Sequence, residues 1–187
     1  MSQSLILLLS ASTLTSALLM PNMDRIISAT LKAEKFHKPG VLTTVMQGGN
    51  IWGYGVIFIS LLLFLFMPDK NVGWTALKAT VSGCVLARGF TIISGRQRPY
   101  ASPHDSLNFN WFKGLQYSHA AFPSGHATVA FAFAAAVDKT TPPSLLKTGG
   151  LYSLACITAL SRVYHAKHWL SDVLIGSTLG YSIGRHI

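Results

Sequence analysis

The chain has 187 residues, half of them hydrophobic and only 11% charged, with a formal net charge of +9 and a mean hydropathy of +0.40. That length suits a single domain, and a charged fraction far below the roughly 25% of soluble domains argues against a disordered or heavily solvated chain. The basic residues are dispersed rather than gathered into a stripe and no nucleic-acid motif is present, so no nucleic-acid partner is expected; basic groups also favour an anionic membrane surface.

In chain order, Leu5–Met20 is an apolar run with the length of a signal-peptide core, and Thr15-Ser16-Ala17 resembles a weak cleavage site. No Lys or Arg precedes it, which favours an uncleaved membrane helix over a signal peptide. Asp24–Lys38 carries Ile26, Ile27, Leu31 and Phe36 at helical spacing with lysines elsewhere, the pattern of an amphipathic interfacial helix ended by Pro39-Gly40. Gln47-Gly48-Gly49-Asn50 reads as a turn, and the charge-free Ile51–Met67 that follows approaches the roughly 20 residues of a membrane span. Pro68–Asn71 fits only a tight connection. Further apolar runs lie at Trp74–Ile93, Ala120–Val137, Gly149–Leu160 and Trp169–Ile183, with Thr140-Thr141-Pro142-Pro143 as a break. Between Pro99 and Ala121 a long polar loop with Phe109, Trp111, Phe112 and Tyr117 has the length of a functional segment. Cys84 and Cys156 lack CxxC or metal-type spacing and read as small buried residues.

The expected fold is an all-α helical bundle, a polytopic membrane protein with about five or six membrane helices. It forms one domain over residues 1–187, in which residues 1–20 are a membrane helix or signal peptide.

Three segments carry the chemistry. In Pro123-Ser124-Gly125-His126, just before the helical run Ala127–Phe133, Ser124 can cap a helix and Gly125 lets backbone approach a ligand. The unpaired N–H groups of such a helix start favour an anion. In Ser161-Arg162 with His168 and Asp172 downstream, His168 and Asp172 are spaced i and i+4. On one helix face Asp172 can accept a hydrogen bond from one ring nitrogen of His168 and leave the other free to attack. Arg96 and Arg98 precede Pro99 in the third segment, and guanidinium groups bind phosphate bidentately. Together these are the parts needed to hold a phosphate and transfer it through a histidine.

The three segments resemble the PAP2 (type 2 phosphatidic acid phosphatase) superfamily, of the membrane lipid-phosphatase type, whose pattern is K-x6-R-P, then P-S-G-H, then S-R-x5-H-x3-D. The second and third parts match completely. In the first, Arg98-Pro99 matches but the lysine position is Thr91. Arg88, one helical turn earlier, or Arg96 is then the candidate to replace the missing charge.

The resemblance implies a catalytic core over residues 74–187 and a metal-independent phosphatase acting on a lipid phosphate or pyrophosphate monoester through a phosphohistidine. His168 would be the nucleophile, Asp172 its orienting partner and His126 the proton donor. Arg98, Arg162, Ser124 and Gly125 would hold the phosphate. It implies no cofactor or metal, no required protein partner, and a bacterial inner membrane with the site facing the periplasm or exterior. Two alternatives stay open: a soluble or periplasmic acid phosphatase acting on water-soluble esters, and a catalytically silent lipid-binding protein, which the absent lysine makes conceivable.

Overall fold

The computed structural model describes residues 20–31 and 39–187. The expectations placed on residues 1–19 and 32–38, including the membrane helix or signal peptide, lie outside the described residues. Residues 20–31 are helical and precede five long helices: α1 (Val41–Phe66), α2 (Lys70–Ser94), α3 (Gly125–Thr140), α4 (Leu145–Tyr164) and α5 (Leu170–His186). Among the described residues there is no strand, only an isolated bridge between Arg96 and Phe109. The all-α expectation is met.

Small residues set the packing. Helix α3 touches each of the other four, and its buried face is mostly alanine: Ala127, Ala130, Ala132, Ala134, Ala135 and Ala136. Facing it, α5 carries Gly176, Gly180 and Gly184 at four-residue spacing. A Cβ on Gly180 would stand 2.1 Å from the Thr128 carbonyl oxygen, and one on Gly184 2.4 Å from that of Ala132. Only glycine permits this approach of two helix backbones, the small-xxx-small device of helix pairs in membranes.

The same device corrects the expected turn at Gln47–Asn50. These residues are inside α1, because Gly49 lies against the Ile157 backbone of α4 and Gly53 against Thr158 and His126. Helix α1 therefore starts ten residues before the expected Ile51 and ends at Phe66, just before Pro68. Asp69 caps α2 by accepting from the Asn71 N–H at 2.9 Å, so the tight connection is as expected.

Helices α1 and α2, of 26 and 25 residues, are each long and apolar enough to cross a membrane. In α1 the buried residues are Gly49, Gly53, Val56 and Ser60, while Ile51, Phe58, Leu65 and Phe66 are exposed. An apolar helix with one narrow face on protein and the rest uncovered has the pattern of a membrane-spanning helix. Cys84 and Cys156 also lie on exposed helix faces. The expectation that they are buried fails because the inward positions are taken by glycine, alanine and threonine.

All the motif segments meet at one end of the bundle: the C-terminal ends of α2 and α4, and the N-terminal ends of α3 and α5. The loop between α2 and α3 is nonhelical except for a 3-10 turn at Tyr117–His119, yet it is pinned closely. Gly95, at φ 55°, ends α2 in the left-handed region, and a Cβ there would sit 1.7 Å from the Asn110 carbonyl oxygen. Gln97 N–H donates to Asn108, Arg98 N–H to Ser118, Phe112 N–H to Ile93 and Ala121 N–H to Arg96.

Candidate active site

The spacing between Arg162 and His168 is a helix C-terminus folded back on itself. Ala166 adopts φ 51°, and the Lys167 and His168 N–H groups both donate to the Arg162 carbonyl, at 3.0 and 3.2 Å. Arg162, in the last turn of α4, and His168, in the loop after it, thereby reach one cavity of about 310 Å³. Arg98, Gly125, His126, Arg88 and Thr91 line it as well.

Several buried polar atoms in and beside this cavity have no hydrogen-bond partner: Arg98 Nη1, Arg162 Nε, His126 Nε2 and Ser124 Oγ. Buried polar groups are almost always satisfied, so a cluster of unsatisfied polar atoms that includes two guanidinium donors marks a place for an acceptor-rich ligand. Ser124 occupies the N-cap of α3, but its hydroxyl makes no capping bond. That corrects the expected side-chain cap; the loop is held instead by the Ser124 N–H donating to the Asp172 carbonyl at 3.0 Å.

His168 is 4% exposed, and its Nδ1 lies 2.6 Å from the Ala121 carbonyl oxygen. A carbonyl only accepts, so Nδ1 carries the proton and Nε2 the lone pair. The expected orienting partner was Asp172, whose Oδ2 stands 3.9 Å from Nδ1 and instead accepts the Trp169 N–H at 2.8 Å. The physical reason is that His168 and Asp172 do not share a helix: α5 starts at Leu170, leaving His168 before it and Asp172 in its first turn. Asp172 thus supports His168 from behind, across the cap of α5. Burial first, then the charges of Arg162 and Arg98, hold the His168 imidazole well below its ordinary value of 6.5.

Arg96 does not face the cavity. Its Nε donates to the Ser106 carbonyl at 2.8 Å, Nη1 to Ser171 Oγ at 2.8 Å and to Asp172 Oδ1, and Nη2 to Asp24 Oδ2 at 2.9 Å. Of the two candidates to replace the missing lysine, the structure therefore brings Arg88 to the cavity and commits Arg96 elsewhere. Thr91 turns its hydroxyl onto the Ala87 carbonyl at 2.8 Å.

Several contributors escaped the sequence reading. Asp24, 1% exposed, accepts from Arg96 and from the Ser171 N–H and hydroxyl, at 2.9 and 2.6 Å. Asn50 accepts from Arg162 Nη1. Tyr54 stands edge-on to His126 with ring centroids 4.3 Å apart, and the Tyr117 ring lies 3.9 Å from the Arg98 guanidinium. Burial pushes the Tyr117 phenol up, but the charges of Arg98 and Lys167 leave it below its ordinary value. Asp24 had one available signal: it is one of only six acidic residues, and a carboxylate flanked by Met23, Ile26 and Ile27 is expensive to bury unless paired. Among the described residues, no three His, Cys, Asp or Glu side chains gather as a metal ion would need.

The chain is similar to several known proteins. It is 27% identical over 127 residues to an undecaprenyl-diphosphatase of Sulfolobus acidocaldarius, an alignment covering 68% of this chain and 59% of that protein. A lipid A 1-phosphatase of Porphyromonas gingivalis is 35% identical over 65 residues, 34% of this chain and 14% of the relative. The chain thus spans less than two thirds of the length of either relative. The crystal structure of Aquifex aeolicus LpxE superimposes with a TM-score of 0.63 at 22% identity, covering 87% of this chain and 90% of that one, which establishes the shared fold. The sequence profile of the PAP2 superfamily matches residues 71–187, the stretch that holds every motif residue lining the cavity, and the chain belongs to the PAP2 superfamily.

Proposed function

We propose that this protein is a membrane phosphatase that hydrolyses a lipid phosphate or pyrophosphate monoester, without a metal, through a phosphohistidine on His168. The observation that carries the reading is the cavity itself. A neutral imidazole with its lone pair on Nε2 shares it with the unpartnered atoms of Arg98, Arg162 and His126, and the unpartnered Ser124 hydroxyl lies beside it.

In the first step the His168 Nε2 lone pair forms a bond to phosphorus while the bond from phosphorus to the leaving oxygen breaks. The electron pair stays on that oxygen, which takes a proton from His126. In the second, His126 removes a proton from water, whose oxygen attacks phosphorus. The N–P electron pair returns to His168, releasing inorganic phosphate. Arg98, Arg162, Ser124 and the Gly125 N–H stabilise the charge on the phosphoryl oxygens. Arg88 supplies the cation that Thr91 cannot. Asp172 acts as a positioning residue, through the Trp169 N–H and the cap of α5.

The uncovered apolar faces of α1 and α2 favour a substrate presented by a bilayer over a water-soluble ester. The names of the relatives, an undecaprenyl-diphosphatase and a lipid A 1-phosphatase, point to the same substrate class. We place the protein in a bacterial inner membrane with the site facing the periplasm or exterior. A single cysteine at the exposed Lys113, with Cys84 and Cys156 replaced, reports this side: labelling in intact cells by an impermeant reagent supports it, and protection reverses it.

The test of function is phosphate release from a panel of lipid phosphates by detergent-purified protein in EDTA, for wild type and His168→Ala. Release that resists EDTA and vanishes in the variant is expected. Release that persists in the variant, or none from any lipid by folded protein, overturns the reading.

A further inference from the structure

A second cavity, of about 560 Å³, adjoins the first, and Tyr54 and Arg162 line both. Its remaining walls are mostly polar: Gln47 and Asn50 from α1, and His165 and Lys167 from the turn after α4. The Lys167 ammonium lies 5.2 and 5.5 Å from the ring centroids of Tyr100 and Tyr117. The two cavities bring together Arg88, Arg98, Arg162 and Lys167, and no carboxylate is among the described residues that line either. Fixed positive charge without an internal counter-ion is a binding field for an anion.

The two volumes share the walls Tyr54 and Arg162. His126, the proton donor of the proposed reaction, has its ring edge-on to Tyr54, the residue of α1 in the shared wall. An acyl or prenyl chain leaving through a wall of Gln47, Asn50, Arg162 and Lys167 would desolvate polar and charged groups without replacing their partners. A phosphate leaving there would instead satisfy them.

Resting on the phosphatase reading above, we propose that the second cavity holds the inner phosphate of a diphosphate substrate, making this site selective for pyrophosphate monoesters over simple phosphate monoesters. His168 Nε2 bonds to the terminal phosphorus, and the bond to the bridging oxygen breaks. The electron pair and the His126 proton go to that oxygen, and the lipid departs as a monophosphate. Lys167 holds the inner phosphate, and Arg162, in the wall of both cavities, lies between it and the terminal phosphate as the bridging oxygen takes the electron pair and the proton.

The experiment compares kcat/KM for a prenyl diphosphate and the prenyl monophosphate of the same chain length. A preference of at least about tenfold for the diphosphate is expected in wild type, the worth of one charge-assisted contact. The ratio should fall about tenfold in Lys167→Ala and recover in part in Lys167→Arg. Independently of any variant, inorganic pyrophosphate should inhibit wild type about tenfold more tightly than orthophosphate. Equal kcat/KM values in wild type, a ratio unmoved by Lys167→Ala, or equal inhibition by the two anions each overturns the proposal. Hydrolysis of either lipid that is lost in His168→Ala keeps the phosphatase reading standing through any of those outcomes.

Discussion

Arg96 and Arg98 are two residues apart, both nearly buried at 3% and 7% exposure, and they live in opposite electrostatic circumstances. Around Arg96 every guanidinium nitrogen is bonded, and two carboxylates, Asp24 and Asp172, face it. Around Arg98 one bond goes to the Ala120 carbonyl at 3.2 Å, Nη1 has no partner, and the nearest charged neighbours in the cavity are cationic. One arginine holds helices together; the other waits for an anion. Residue type alone does not separate these roles: the motif singles out Arg98, and acidic partners from distant segments claim Arg96.

The largest expected effect breaks the Arg96 side. Arg96→Ala leaves two buried carboxylates without their cation, a change that costs about 3–5 kcal/mol when one partner of a buried pair is removed. Thermal denaturation in detergent should show it as a large loss of stability. A shift smaller than about 1 kcal/mol would mean that Arg96 is not the structural member of the two. On the other side, Arg98→Ala should lower kcat/KM by about 10²–10³-fold, the usual loss for one donor aimed at developing charge. Its melting temperature should stay close to that of wild type, since removing a buried cation that faces other cations offsets the lost contacts to Ala120 and Tyr117. If Arg98→Ala unfolds the protein as Arg96→Ala does, the contrast collapses.

Gly180→Ala sharpens the comparison by perturbing packing while touching neither arginine. Its Cβ would meet the Thr128 carbonyl oxygen at 2.1 Å, backbone that cannot rotate away, and overpacking of this kind costs about 1–3 kcal/mol. Stability should fall, with kcat/KM measured well below the melting temperature changing far less than in Arg98→Ala. A drop in kcat/KM matching that of Arg98→Ala would show that the α3–α5 seam sets the site geometry directly.

Much of this was legible in the sequence. The all-α fold follows from apolar periodicity, and the resemblance to the PAP2 superfamily implies the set of Arg98, His126, Arg162 and His168 that the structure gathers at one cavity. Three things were not. Gly49 reads as a turn residue because local propensity says nothing of a facing helix, and the Ile157 backbone decides otherwise. The spacing of His168 and Asp172 suggests one helix face, but the chain ends one helix and begins another between Tyr164 and Leu170, so the Ala121 carbonyl takes the imidazole proton instead. Asp24 is joined to Arg96 only by the tertiary fold, across a sequence separation of 72.

On the open side, Arg88→Ala should lower kcat/KM about tenfold, the worth of one solvent-accessible charged contact to phosphate. Arg96, bound to its carboxylates, cannot move in to compensate. An effect within twofold would leave the position of the missing lysine without a substitute and remove Arg88 from the site.

The smallest effect comes from the imidazole between the two regions. His168 is held below 6.5 by burial, then by Arg162 and Arg98, so as pH falls through 6.5 the unfolded chain takes up a proton that the folded site refuses. Stability from this residue is therefore fully present above about pH 6.5 and is lost progressively below it. His168→Gln keeps a donor for the Ala121 carbonyl but cannot titrate, so its melting temperature should decline less between pH 7 and 5.5 than that of wild type. Parallel declines would mean that burial and the neighbouring arginines do not depress the His168 imidazole. Adding orthophosphate should shrink the wild-type difference, because an anion between Arg98 and Arg162 offsets the charges that depress the imidazole.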